Sequence, residues 1–274
     1  MEKLKCVFIG NCQNNALIHF LNKSNEFREK YNVINYTNYQ LIRDNISIPV
    51  EDIKTADVVI LQPLPPVHGC YSTDPSVKDS IGYFINDKCT KITYPYVYLS
   101  SFWPIIQAGY DENRWFGNEV IDKLFDKGYS VNDIIELYKN NKIDWEYTNR
   151  FKESINILKQ KESVTDVKIS KFIESNLTNE LLFLIPQHPT SIVFLEMTNQ
   201  ILKMLNLEPL STNVINGVND AGLPDSTYHI PSNRFPIHKS IINDLNLTYA
   251  DEYIENSEDF YLNRILTYIT MNKY

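Results

Sequence analysis

The chain has 274 residues, 43% of them hydrophobic and 22% charged, with a formal net charge of −8. That length can bury one large α/β core, and the acidic balance argues against nonspecific nucleic-acid binding, which needs a basic footprint. No stretch approaches the roughly 20 apolar residues of a membrane span, and the apolar run at the N-terminus is too short for a signal-peptide core, so the expected compartment is the cytoplasm.

Lys5–Ile9 reads as a first buried strand and Asn14–Leu21 as the first helix. Asn32–Thr37 follows as a second strand. Asp57–Leu61 (D-V-V-I-L) is a third, because a continuous branched run suits a strand buried on both faces. Lys91–Leu99 is the fourth. Helical or loop segments separate these strands, which predicts βαβ units and a mostly parallel sheet flanked by helices. The pattern then changes. Ser130 is an N-cap with Asp133 at the capping-box position, and Val131, Ile134, Ile135 and Tyr138 follow the helical period. Residues 116–176 read as a helical insert or cap within a single α/β domain spanning 1–274. Leu181–Ile185 is an expected fifth strand, and Pro189 is placed in the first turn of a long helix from about Thr190 to Leu205. Residues 207–236 are loop-like, His238–Leu245 is a short helix, and Leu262, Ile265, Leu266 and Ile269 mark an amphipathic C-terminal helix.

In parallel sheets, ligands bind beyond the carboxyl ends of the strands. Gly10-Asn11-Cys12-Gln13 would lie on that edge, between the first strand and first helix. A cysteine there suits a nucleophile or the contact point of an activated acyl group, since a helix N-terminus stabilises a thiolate. A tight turn that contains Cys is the plain alternative. His188 lies in Pro186-Gln187-His188-Pro189-Thr190, where Pro189 keeps it off the helix and the helix N-terminus disfavours its protonation. A neutral imidazole there can act as general base, or it can simply cap the helix. Gln13 and Gln62 could point amides into the cleft and help position an oxyanion, or bond to a loop. Tyr71, Ser72 and Thr73 lie on a long loop after a strand and suit phosphate or sugar contacts, with a plain turn as the alternative. Phe102 and Trp103 could stack on adenine or a sugar, or pack in the core. The cysteines Cys6, Cys12, Cys70 and Cys89 form no C-x-x-C pair and no Cys/His cluster has zinc spacing, so no metal is expected. Cys6 reads as core, and His238 as a helix cap.

A cysteine at the first strand-to-helix turn, with a histidine before a late helix, is similar to the order of nucleophile and base in SGNH-type hydrolases. Cys12 stands where their serine would be, and no acid lies three residues before His188. A Cys–His dyad or a binding role therefore fits better than a triad.

A second resemblance is to the WcbI-like family of polysaccharide-biosynthesis acetyltransferases. Its blocks run in order: Ile9-Gly10-Asn11-Cys12-Gln13, Asp57 to Pro63, Tyr71-Ser72-Thr73, Ser130 to Ile135, Asp166 to Ile173, Gln187-His188-Pro189-Thr190, and Tyr228-His229-Ile230-Pro231 running into Pro236-Ile237-His238. Pro65-Pro66-Val67-His68-Gly69 and Ser101-Phe102-Trp103-Pro104 match loosely. The resemblance implies an SGNH/flavodoxin-like α/β fold with coenzyme A or acetyl-CoA as cosubstrate. It also implies O-acetylation of a carbohydrate acceptor of a capsular or other surface polysaccharide. It makes Cys12 and His188 the catalytic candidates. Asn11, His68, Tyr71, Ser72, Thr73, Phe102 and Arg114 become candidates for CoA or substrate contact; Arg114 and Lys78 are candidate partners for the coenzyme phosphates, with a plain solvated surface charge as the alternative. The alternatives are an SGNH-type esterase or thioesterase and a noncatalytic CoA- or glycan-binding module.

Overall fold

A computed structural model describes residues 2–99, 101–103, 105–107, 115–116, 118–217, 235–249 and 257–272. Strand β1 (Leu4–Gly10) carries Cys6, Val7, Phe8 and Ile9, all fully buried. Helix α1 (Gln13–Leu21) follows at once and buries Ala16, Leu17, Phe20 and Leu21 along one face. Helix α2 (Asn25–Lys30) starts at Ser24, whose hydroxyl accepts the Phe27 N–H at 3.3 Å. Next come β2 (Tyr31–Thr37), α3 (Asn38–Asp44), α4 (Val50–Lys54) and β3 (Val58–Leu61). A 3-10 turn over Pro66–Tyr71 and the short α5 (Ile81–Phe84) lead to β4 (Thr90–Thr93).

These four strands form one parallel sheet in the order β2-β1-β3-β4. Cys6 pairs with Val33 on one side and Val58 on the other, so the all-apolar centre of β1 sits mid-sheet, as a doubly covered strand requires. The order places the topological switch between β1 and β3, and a crevice for ligands is expected at their carboxyl ends. The fourth strand is shorter than the expected Lys91–Leu99. The Tyr94 N–H still donates to Leu61 O at 3.0 Å, but Pro95 has no N–H to continue the ladder.

Further along lie the antiparallel pair β5 (Ile106–Gln107) and β6 (Trp115–Phe116), then α6 (Asn118–Asp126), α7 (Val131–Lys139), α8 (Tyr147–Glu162) and α9 (Ser170–Asn176). Ser130 and Asp133 make the expected capping box at α7: the Asp133 N–H donates to Ser130 Oγ at 3.2 Å, and the Ser130 N–H to Asp133 Oδ2 at 2.8 Å. Strand β7 (Phe183–Ile185) falls within the expected strand Leu181–Ile185, and it pairs with the short β8 (His188–Pro189) in a sheet of its own. Helix α10 (Ser191–Met204) has Thr190 at its N-cap, so Pro189 precedes the cap rather than occupying the first turn. Helices α11 (Lys239–Leu245) and α12 (Ser257–Asn272) complete the described elements.

The chain forms two compact units. The first comprises Met1–Val97, Ile157–Glu174 and Pro189–Thr227; the second comprises Tyr98–Asn156, Ser175–His188 and Tyr228–Tyr274. In the first, α10 packs on α1. The segment after α8 is clamped to the end of β4: Asp166 Oδ2 accepts the Thr93 N–H at 2.8 Å and its hydroxyl at 2.7 Å, and Asp166 N–H and Val167 N–H both donate to Thr93 O. The buried Glu162 carboxylate accepts the N–H groups of Ile169 and Ser170, which folds the chain back at the end of α8. In the second unit, α7 packs on α12 and the Tyr138 hydroxyl donates to Glu258 O at 2.8 Å. Tyr261, buried, donates from its hydroxyl to Phe102 O or Pro236 O, each 3.0 Å away. His238 caps α11, its Nδ1 accepting the Ser240 N–H at 3.3 Å. Among the described residues no helix is long and apolar enough to cross a membrane.

Candidate functional site

The turn after β1 is built around a glycine that nothing larger could replace. A Cβ on Gly10 would lie 2.3 Å from the Tyr94 hydroxyl oxygen, 2.6 Å from Asn14 Oδ1 and 3.1 Å from Gln62 Oε1. Those three polar groups form a buried seat beneath the turn. The Tyr94 hydroxyl donates to Asn14 Oδ1, and Asn14 Nδ2 bonds Asn35 Oδ1 at 2.9 Å and Tyr36 O at 3.2 Å. Gln62 Oε1 accepts the Asn11 N–H at 2.8 Å, while Asn11 Oδ1 accepts the Gln13 N–H at 2.9 Å in an Asx turn that starts α1. Gln13 is buried and closes on the Val97 backbone: its amide donates to Val97 O at 2.7 Å and accepts the Val97 N–H at 3.2 Å. Gln62 Nε2 reaches Gln13 Oε1 at 3.4 Å. Tyr94 and Asn14 carry no signal in the sequence, because nothing local shows that a tyrosine 84 positions away sits under Gly10.

Cys12 is the N-cap residue of α1, half-buried, and its thiol makes no capping bond. Burial pushes its pKa up, and this outweighs the backbone N–H groups of Cys12 and Gln13, which favour the thiolate. The helix N-terminus therefore does not make Cys12 the stabilised thiolate its position suggested. Tyr94 is held protonated well above the usual tyrosine range, by burial first and then by the negative charge Cys12 would carry as a thiolate, so the two groups sense each other.

A cleft of about 790 Å³ opens at the carboxyl ends of β1, β3 and β4. Asn11 and Gln62 form its wall at the turn, Pro63, Leu64 and Pro65 line an apolar side, and Lys161 closes another; Cys12 is not part of that wall. Thr73 faces the cleft, with its hydroxyl oxygen accepting the Leu64 N–H at 2.9 Å. Its neighbours face elsewhere. Ser72 is fully buried, donating to Leu64 O at 3.2 Å, and the buried Tyr71 donates to Leu41 O at 3.2 Å within the apolar core. His68 sits half-buried on the 3-10 turn, outside the cleft lining, and Lys78 is exposed on the following loop. Neither lysine of the cleft, Lys91 or Lys161, was nominated from sequence; both look like ordinary solvated helix or strand charges there.

In the second unit, His188 is 3% exposed and burial pulls its pKa down to about 4. The imidazole is therefore neutral at physiological pH through desolvation, and Thr190 rather than His188 holds the cap position of α10. Phe102 is fully buried and packs edge-on to Trp103 with ring centroids 5.6 Å apart, which is core packing. Arg114 and His229 lie outside the described residues. Cys6 is fully buried and pushed up to about 12, an inert core thiol. Among the described residues no three His, Cys, Asp or Glu side chains gather as a metal site.

A parallel sheet in the order 2-1-3-4, with a glycine-seated turn and a roomy crevice at its carboxyl edge, defines an α/β protein of the doubly wound, ligand-binding class. The chain belongs to the WcbI family of polysaccharide biosynthesis enzymes, whose model matches residues 5–210. A solved structure of WcbI, described as the native protein without a disulfide bond between coenzyme A and one of its cysteines, shares the fold with a TM-score of 0.61. The alignment covers 97% of this chain and 96% of that one at 14% identity. No curated protein sequence matches the chain.

Proposed function

We propose that this chain is an acetyl-CoA-dependent acyltransferase that O-acetylates a carbohydrate hydroxyl of a capsular or other surface polysaccharide, or of its precursor. One observation carries the reading: in a member of the WcbI family, the Gly10–Gln13 turn sits at the sheet's switch point and presents Asn11 and Gln62 to a cleft of about 790 Å³. That volume lies within the range of small-molecule sites, and the apolar wall of Pro63, Leu64 and Pro65 suits the aliphatic arm of the donor. A ligand in the cleft touches Asn11, one residue from the Cys12 thiol. A likeness to a protein described in connection with coenzyme A supports the same donor. Acetyl-CoA is a cytosolic metabolite, so the reading places the reaction in the cytoplasm.

Each residue has its own chemical task. The acceptor hydroxyl must lose its proton as its oxygen attacks the thioester carbonyl, and the His188 imidazole, unprotonated at neutral pH, is the candidate base. The C–S bond then breaks, the acetyl group stays on the sugar oxygen, and the proton passes to the departing CoA sulfur. Burial keeps Cys12 a thiol, which disfavours attack as a nucleophile. Gln62 and Asn11 hold the turn in place.

The test is turnover with a sugar panel, together with intact mass after incubation with acetyl-CoA. His188→Gln is expected to lower turnover by about 100-fold or more, within the usual span for a general base. Cys12→Ser is expected to retain turnover to within about tenfold, with no acetyl adduct on the wild-type protein. A Cys12-dependent adduct would replace direct transfer with a covalent route. Acetate release without any acceptor would make the protein a hydrolase, and coenzyme binding without transfer to any sugar would leave a binding module.

A further inference from the structure

Lys161 lies on the last turn of α8 and forms part of the cleft wall. Its side chain is half-buried, yet among the described residues no carboxylate lies within ion-pair distance of its ammonium. Its contacts are the Tyr96 carbonyl, at a long 3.3 Å, and the Tyr96 ring, whose centroid is 4.9 Å away. An ammonium has three donors, so at least two N–H groups of Lys161 have no acceptor among the described residues. The position is enforced rather than incidental. Glu162, the next residue, spends its carboxylate on the backbone of Ile169 and Ser170, and Asp166 is committed to Thr93. The two nearest acids in sequence are thus turned to structural work, and among the described residues no carboxylate compensates the amine. A second cation, the exposed Lys91, borders the same cleft. Among the described lining residues the one acid is Asp74, which accepts the Ser76 N–H at 2.9 Å and the Ser76 hydroxyl at 2.7 Å.

A partly desolvated cation with no counter-ion is costly to keep unless a ligand supplies the negative charge. We propose that the cleft is a phosphoryl-binding site anchored by the Lys161 ammonium, with Lys91 as the second cation at its edge. The inference rests on the reading of the cleft as a substrate site and adds the chemistry that selects what enters it. Two substrates of an O-acetyltransferase carry such a group: the coenzyme, through its diphosphate and 3′-phosphate, and a nucleotide-diphosphate sugar.

The experiment is calorimetric titration of the full chain and of Lys161→Gln with coenzyme A, uridine diphosphate and pantetheine, which has no phosphate. Lys161→Arg and thermal melts control for folding. The inference expects Lys161→Gln to weaken a phosphorylated ligand by about tenfold, Lys161→Arg to keep most of the affinity, and pantetheine binding to be unchanged. Affinity for that ligand should also fall with salt less steeply in Lys161→Gln than in the wild type. Loss confined to coenzyme A assigns the site to the donor; loss confined to uridine diphosphate assigns it to the acceptor. If uridine diphosphate binds through Lys161 but coenzyme A does not bind at all, the phosphoryl site stands and the acetyl-CoA reading fails. Equal weakening of pantetheine and coenzyme A, indifference of both phosphorylated ligands to Lys161→Gln, or failure of both to bind the wild type at millimolar concentration overturns it.

Discussion

Gly10→Ala is expected to lower the unfolding free energy by about 3 kcal/mol, at the upper end of overpacking costs. The added methyl would stand 2.3 Å from the Tyr94 hydroxyl and 2.6 Å from Asn14 Oδ1, and neither can swing aside cheaply. Tyr94 is fully buried, and Asn14 is tied to Asn35 and Tyr36 across the edge of the sheet. Moving them breaks buried hydrogen bonds as well as packing. Urea unfolding checks the value. Tyr94→Phe, which removes the nearest clashing atom, should cost about 1 kcal/mol alone. In the double variant the two costs should fall short of additivity, because both act at one contact. If Gly10→Ala unfolds within 0.5 kcal/mol of the wild type, the seat beneath the turn is not as close as described.

Stability is also expected to fall between pH 6.5 and 4, earlier than carboxylate titration alone would produce. His188 and His238 are each 3% exposed and each pulled down to about 4, His188 by burial and His238 by burial first and then by Lys239. In the unfolded chain both titrate near 6.5. Above that pH both states are neutral and the contribution is complete. As pH falls below 6.5, the unfolded chain takes up protons that the folded chain refuses, and stability is lost until about pH 4. A displacement of this size corresponds to about 3 kcal/mol for each histidine. Asp52, Asp74 and Asp133, all held below the usual carboxylate range by hydrogen bonds, add losses only at lower pH. Denaturation at pH 7.5, 6 and 5 measures the slope. His238→Asn keeps a capping acceptor for α11 and removes one titration, so it should flatten that slope by about half. An unchanged slope would show that His238 is not a buried neutral group.

The sheet was legible because its signal is local. Cys6–Ile9 and Val58–Leu61 are unbroken apolar runs, and both are strands buried on two faces. Ser130 and Asp133 carry their capping box within four residues. Pairing is not local: Leu181–Ile185 reads as a strand in sequence, but nothing in its apolar run shows that its partner is the short β8 rather than the main sheet. Lys91–Leu99 overran because its tail is rich in Tyr and Val, while the ladder obeys Pro95. At the site, Gly10 to Gln13 announced itself through glycine before a cysteine at a strand end. The groups that seat it, Tyr94 and Gln62, lie 84 and 52 positions away from Gly10 in sequence. Lys161 was invisible for another reason: only the commitments of Glu162 and Asp166 elsewhere leave it without a carboxylate partner among the described residues.

The first unit is stitched from three separate stretches, and the chain changes unit five times along its length. Helix α1 is made early, yet α10, which covers it, ends at Met204. On a ribosome adding about 5–20 residues per second, the apolar face of α1 waits roughly 10–40 seconds for its cover. Thr93 likewise waits for Asp166 before β4 is secured. The nascent chain therefore carries an unfinished, sticky sheet through most of translation, and fragments ending anywhere before α10 should need a holding chaperone rather than fold as a smaller domain.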